Sequence, residues 1–243
     1  ERSSVAMNLA IIPARSGSTR IKDKNIMDFC GTPMIGHPIC AARESGLFDT
    51  IHVSTDSDRY VEIVQELGEE VEFLRDPALC QDRVGAINVL RWVVREFKKR
   101  GRQFDNIWLI MATAPLLKPE DLKRGLALFE EHGRRHPVAP VAAFASPVER
   151  GFRIGDDGLL EAMFPEKQIM HSQDFSPVYH EAGTFFLISR EQLMADEADT
   201  YNAFLPLIVP RYRAVDIDEP EDLVMAEILF RGQATVQREG SDG

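Results

Sequence analysis

Short apolar runs alternate with stretches whose apolar residues recur at helical spacing. Asn8 to Pro13 (NLAIIP) is almost wholly apolar and opens into a polar loop, the pattern of a strand buried on both faces. Met34 to Ser45 carries helix-spaced apolar residues and stops at Gly46, so it predicts a helix. Ile51 to Thr55 predicts a second strand, Asp58 to Leu67 a helix closed by Gly68, and Val71 to Leu74 a short third strand. Ile87 to Lys99 reads as a long amphipathic helix and Asn106 to Met111 as the next buried strand. Pro119, Glu120 and Asp121 suit the first turn of a helix over Leu122 to His132, because Pro lacks an N–H there and acids favour the positive end. Val138 to Phe144 and Thr184 to Ile188 predict further strands, and Pro220 to Phe230 a closing helix. Strands and helices in such short alternation imply an α/β fold with a mostly parallel sheet covered on both faces. Ligands of such sheets sit beyond the carboxyl ends of the strands.

The alternation breaks between residues 145 and 181. Pro147, Gly151, Gly155, Gly158, Pro165 and Pro177 divide short apolar pieces, and no long helix can be drawn. This stretch is expected to be an inserted arm, used for dimerisation, on a single domain spanning residues 7–231. Residues 1–6, ahead of Met7, are read as an appended remnant outside the fold. Residues 232–243 are polar and contain Gly, and are expected to form a disordered tail.

Charge narrows the classes of function. The 28 Lys and Arg against 39 Asp and Glu give a net charge of −11, which repels polyanions and argues against nucleic-acid or anionic-membrane partners. No apolar run reaches about 18 residues, the length needed to span a bilayer, and the first residues lack the apolar core of a signal peptide. Cys30, Cys40 and Cys80 show no metal-ligand spacing. A cytoplasmic protein with reduced thiols is the expectation.

Two segments depart from this background. The loop after the first strand holds Ala14, Arg15, Ser16, Gly17, Ser18, Arg20, Lys22, Lys24 and Asn25, with Asp23 the one acid among four cations. Small residues can present successive N–H groups to an anion, and Arg can grip two phosphate oxygens at once. The loop is neither GxxxxGK[ST] nor GxGxxG, so a polyphosphate site outside the Walker and dinucleotide classes is expected. The missing GxGxxG also counts against a sugar oxidoreductase on a similar sheet. The second segment is Val215-Asp216-Ile217-Asp218, in which an extended backbone puts both acids on one side. Two such carboxylates suit Mg²⁺ beside a phosphate, while Asp218 could equally N-cap the helix near Pro220. Arg75 ends the short third strand, and Ser54, Thr55 and Asp56 end the second, where they could shape a pocket or cap the next helix.

The segments IPARSGSTRIKDKN (from Ile12), GTPMIGHPI (from Gly31), FDTIHVSTD (from Phe48), FLRDP (from Phe73), TAPLL (from Thr113) and VDIDEPEDL (from Val215) resemble the CMP-sialic acid synthetase family, cytidylyltransferases that activate nonulosonic acids. The match runs in order from about Asn8 to Phe230. TAPLL and HSQDFSPVYHEAGTFF (from His171) look more like the pseudaminic acid branch. Met111 stands where sialic acid enzymes carry Gln, Leu117 where they carry Arg, and Ala182 where they carry Asn. Three residues depart from the usual pattern: Thr19 replaces a phosphate-facing Lys, His171 an Arg, and Thr184 a Gln.

The resemblance implies a Rossmann-like fold, CTP as donor, Mg²⁺ as cofactor, and a homodimer whose arm helps form the partner's site. Arg15 and Lys24 would hold the triphosphate, with Asn25 and Arg75 at the cytidine end and Asp216 and Asp218 on the metal. Arg15, Lys24, Asp216 and Asp218 are thereby the catalytic candidates, and Met111, Gln173, Tyr179 and His180 the sugar-binding ones. A sialic or legionaminic acid synthetase, or a non-catalytic homologue that binds nucleotide sugars, stays open as an alternative.

Overall fold

A computed structural model describes residues 6–17, 20–81, 84–195 and 203–239. Its central sheet is built on β1 (Asn8–Pro13), flanked in parallel register by β4 (Thr50–Ser54) and β5 (Asn106–Ile110). Beyond β5 comes β10 (Phe185–Ser189), antiparallel to it, then β6 (Val138–Ala143), antiparallel to β10, and finally β11 (Leu205–Ile208), parallel to β6. β9 (Tyr179–Glu181) pairs antiparallel with the far end of β6. The sheet is mostly parallel, as expected, but mixed: β10, threaded between β5 and β6, and β9 run against the other five strands.

β1 is apolar throughout because both its faces are covered. Ala10 and Ile12 point into a cluster with α1 (Gly36–Ser45), α2 (Asp58–Glu66) and α4 (Pro119–Glu131). Leu9 and Ile11 point the other way, against α3 (Ala86–Lys99) and Leu193 of α5 (Arg190–Met194). Gly46 takes φ +67° just past α1, which glycine adopts without a Cβ clash and which ends the helix there.

Three expectations are corrected. Val71 to Leu74 forms no strand. It lies along the sheet through Phe73, stacked on His52 at 4.4 Å, and through the Arg75 N–H, which donates to the Thr55 carbonyl at 2.7 Å. The closing helix α6 (Pro220–Glu239) does not stop at Phe230, so residues 232–239 are helical rather than disordered. One Gly at position 232 costs a helix only about 1 kcal/mol, and the residues after it include good helix formers. Lastly, Asp218 does not cap α6. The Asp222 carboxylate reaches back instead, accepting the N–H groups of Asp218 (3.0 Å) and Glu219 (2.7 Å).

Residues 145–178 leave the sheet, and residues 179–181 return to it as β9. The departing stretch forms a hairpin of β7 (Phe152–Ile154) and β8 (Leu160–Ala162) with short 3-10 turns around it. Ile154, Leu160 and Ile169 on this arm are exposed. A small third cluster does the most to position the site. Phe29 of the β2 (Asp28–Phe29) and β3 (Thr32–Pro33) ribbon packs with Met34, Ile217 and Ala226 of α6, fastening the Asp216–Asp218 segment beside the loop that follows β1.

Candidate active site

The cationic loop and the acidic segment meet at the carboxyl ends of β1 and β5. They frame a cleft of about 280 Å³ lined by Arg15, Arg20, Lys24, Asn25, Arg75 and Asp218, among others. Ile217 is fully buried, which turns the alternating acids on either side of it away from the third cluster. Lys24 Nζ donates to Asp218 Oδ1 at 3.2 Å and also to the Ile217 carbonyl, while Arg20 pairs with Asp218 Oδ2 at 3.0 Å. Burial alone would raise the Asp218 carboxyl, yet the hydrogen bond and charge of Lys24, with Arg20 behind, hold it below the usual carboxylate range.

Asn25 is buried and works from inside: its Nδ2 donates to the Arg15 carbonyl at 3.1 Å. Ala14, also buried, extends the β1–β4 ladder by donating its N–H to the Ser54 carbonyl at 2.9 Å. Arg75 is nearly inaccessible and donates from Nε to Ser54 Oγ (3.0 Å) and from Nη2 to the Ser54 carbonyl (2.5 Å). Burial lowers its pKa. The Ser16 N–H, expected to face an anion, donates instead to the Asp56 carboxylate at 2.9 Å. Gly17 lies beside Arg15, where an added Cβ would stand 3.4 Å from Nη1. Ser18 and Thr19 lie outside the described residues.

Asp216 does not line this first cleft. It lines a second one of about 250 Å³ that adjoins the first at Ala86 and Met111, which line both. Its walls are Ile87, Leu109, Phe185, Phe186 and Phe204, and the acids on its lining are Asp216 and Glu181. Burial first, and the Asp218 charge second, raise the Asp216 pKa. Gly183 makes the close approach possible. It has φ +65°, and a Cβ there would meet Asp216 Cβ at 3.2 Å and Cγ at 3.3 Å.

Of the sugar-site candidates, Met111 lines both clefts. Gln173, Tyr179 and His180 stay on the arm and line neither cleft in the single chain. His180 packs its ring on Phe144 at 4.9 Å, and it is its neighbour Glu181 that enters the second cleft. The alternation of β9 decides this, because Glu181 and His180 fall on opposite faces. Glu181 and Gly183 were not singled out from the sequence. The Gly after Ala182 was the one available signal among them, since a glycine inside a strand-like run marks close backbone approach.

The α/β fold and the family match together define a nucleotidyltransferase. The chain belongs to the cytidylyltransferase family, whose model matches residues 9–183. It is 32% identical to the pseudaminic acid cytidylyltransferase of Campylobacter jejuni, over 92% of this chain and 96% of that protein. It is 28% identical to the CMP-N,N'-diacetyllegionaminic acid synthase of Legionella pneumophila, over 91% and 95%. Among solved structures, CMP:2-keto-3-deoxy-manno-octonic acid synthetase complexed with CTP superposes with a TM-score of 0.68 at 18% identity, covering 94% of this chain and 100% of that one. Among the described residues no helix is long and apolar enough to cross a membrane.

Proposed function

We propose that this enzyme transfers the cytidylyl group of CTP to a nonulosonic acid, pseudaminic acid in preference, releasing pyrophosphate. The observation that carries the reading is the pair of adjoining clefts, one cationic and one apolar, with Asp218 on the first and Asp216 on the second. The cationic cleft suits a triphosphate, and the apolar one suits a sugar rich in methyl and acyl groups. The similarity to the Campylobacter enzyme over nearly the whole chain favours pseudaminic acid over sialic acid.

In this reading Arg15 and Lys24 hold the triphosphate and stabilise the pyrophosphate as it departs in line, while the anomeric hydroxyl attacks the α-phosphorus. Arg20 and Asn25 hold the loop around the nucleotide, and Arg75, fixed by Ser54, faces the cytidine end. Asp216 and Asp218 fit a magnesium ion. Both offer hard oxygen donors, and the neighbouring Asp218 charge, which helps raise the Asp216 pKa, is one that a cation would offset. Among the described residues no cluster of three or more His, Cys, Asp or Glu could hold a metal by itself, so phosphate oxygens and water would complete the coordination. Bound there, magnesium supplies Lewis-acid charge stabilisation. The exposed apolar hairpin of residues 145–181 suits a homodimer in which Gln173, Tyr179 and His180 reach the partner's sugar cleft. A cytoplasmic setting fits the three unpaired cysteines.

The test is pyrophosphate release from CTP with pseudaminic, legionaminic, sialic and 3-deoxy-octulosonic acids in turn. Release that needs magnesium, is abolished by a chelator, and is fastest with pseudaminic acid supports the reading. Preference for another acid overturns the sugar assignment, and no release with any of them overturns the activity. Asp216→Asn should cut turnover at least about a hundredfold with the fold intact.

A further inference from the structure

Asp56 lies just beyond the end of β4 and lines neither cleft. It does not cap the helix that follows either. The residue before α2 is Ser57, whose side chain makes no capping bond, and the Ser57 N–H goes to Thr55 Oγ1. The Asp56 carboxylate turns toward the phosphate loop instead. Oδ1 accepts the Ser16 N–H at 2.9 Å and Oδ2 accepts the Ser16 hydroxyl at 3.2 Å. Burial would raise its pKa, but these bonds from Ser16, with the Arg75 charge, keep it below the usual carboxylate range.

A carboxylate near a triphosphate site repels the ligand, so it needs a compensating task. Loop geometry supplies one. The chain leaves β1 with the Ala14 N–H still on the Ser54 carbonyl, and two residues later both donors of Ser16 are held by Asp56. Arg15 lies between these two anchors. Its carbonyl is fixed by Asn25, and its guanidinium faces the cleft, with Nη1 3.5 Å from the Cys80 carbonyl. The backbone on both sides of Arg15 is thus pinned to the end of β4. We infer that Asp56 is a positioning residue: through its paired bonds to Ser16 it sets the course of the phosphate loop and aims Arg15 at the triphosphate.

This inference rests on the reading of the first cleft as the CTP site. Its physical core is the hydrogen-bond pair rather than the charge, and the two make different predictions. Asp56→Ala removes both acceptors, so it should weaken CTP binding and lower kcat/KM for CTP at least tenfold, leaving KM for the sugar close to wild type. Asp56→Asn keeps an acceptor for the Ser16 N–H and can donate to the Ser16 oxygen, so it should recover most of that loss. Ser16→Ala combined with Asp56→Ala should cost little more than Asp56→Ala alone, because both changes break one contact. Amide exchange gives a readout that needs no activity: the Ser16 N–H should be protected in the wild type and in Asp56→Asn, and unprotected in Asp56→Ala.

Titration calorimetry with CTP separates the two claims. If wild-type protein does not bind CTP, the reading of the cleft fails, and the Ser16 amide exchange still decides whether Asp56 holds the loop. If CTP binds and Asp56→Ala, folded by circular dichroism, binds it as tightly as wild type, the positioning role is overturned. Additive losses in the double variant, or an Asp56→Asn as impaired as Asp56→Ala, overturn it as well. Should Asp56→Ala fail to fold, Asp56→Asn decides: near-wild-type CTP binding with the Ser16 amide protected supports the role, and lost binding with that amide still protected overturns it.

Discussion

The Lys24 ammonium donates to the Asp218 carboxylate at 3.2 Å across a separation of 194 residues. The contact closes the first cleft between a loop near the start of the chain and an extended segment near its end. Arg20 reaches the other oxygen of the same carboxylate, at 3.0 Å. In the proposed reading, removing Lys24 takes a cation from the triphosphate, and in the structure it leaves Asp218 with one partner fewer. Lys24→Met should lower kcat/KM for CTP by about a hundredfold. The pair is partly solvated, so the loss of stability should stay under about 1 kcal/mol. Steady-state kinetics alongside a urea melt separate the two effects. A Lys24→Met enzyme with wild-type kinetics would remove Lys24 from the triphosphate site.

Gly183 tests how tightly Asp216 is held. An alanine there must adopt φ +65°, and its Cβ would press on Asp216 Cβ at 3.2 Å. Strain of this kind costs about 1–3 kcal/mol, and relief by moving Asp216 would displace a catalytic candidate. Gly183→Ala should thus lower kcat more than KM for CTP and reduce the thermal midpoint. Unchanged kcat would show that the Asp216 position tolerates the push.

His52 predicts acid sensitivity. The ring is buried between Phe73 and Phe97, neither nitrogen has a hydrogen-bond partner, and burial, then the charges of Arg75 and Arg100, pull its pKa to about 3. Between that value and the ordinary 6.5, the unfolded chain binds a proton that the folded chain refuses. This contribution to stability is therefore intact above about pH 6.5 and is lost as pH falls toward 3, with a slope of up to about 1.4 kcal/mol per pH unit. Replacing the ring by His52→Phe should flatten that part of the stability curve, measured by urea unfolding from pH 7 to 4. An equally steep curve in the variant would assign the acid sensitivity to other groups.

Gly125 opposes a general rule. Gly to Ala within a helix ordinarily gains about 1 kcal/mol, but here the new Cβ would lie 2.8 Å from Phe185 Cζ. Phe185 is buried and packs on Trp108 at 5.3 Å, so it has little room to yield. Overpacking costs about 1–3 kcal/mol, and Gly125→Ala should come out destabilised by about 1 kcal/mol. A stabilised variant would show that Phe185 has slack.

Much of this protein could be read locally. The apolar run of β1, the helix over Ala86–Lys99 and the stop at Gly46 follow from periods of 2.0 and 3.6 residues and from backbone sterics, which act within a few positions. Charge density alone marked Arg15, Arg20 and Lys24 as exceptional in so acidic a chain, and the alternation in Val215 to Asp218 set Ile217 against its flanking acids.

Pairing was a different matter. Nothing near Phe185–Ser189 says that this strand runs backwards between β5 and β6, because an apolar run suits either direction. Whether Asp218 would cap a helix or meet Lys24 was undecidable within its own segment. That choice came from Asp222 taking the helix donors and from the third cluster docking Ile217 beside the loop. Local sequence thus determined most of the strands, helices and charged turns, though not the fate of Val71 to Leu74. Only the packed structure decided which polar groups face one another, because a hydrogen bond or ion pair between distant residues depends on where the apolar faces settle.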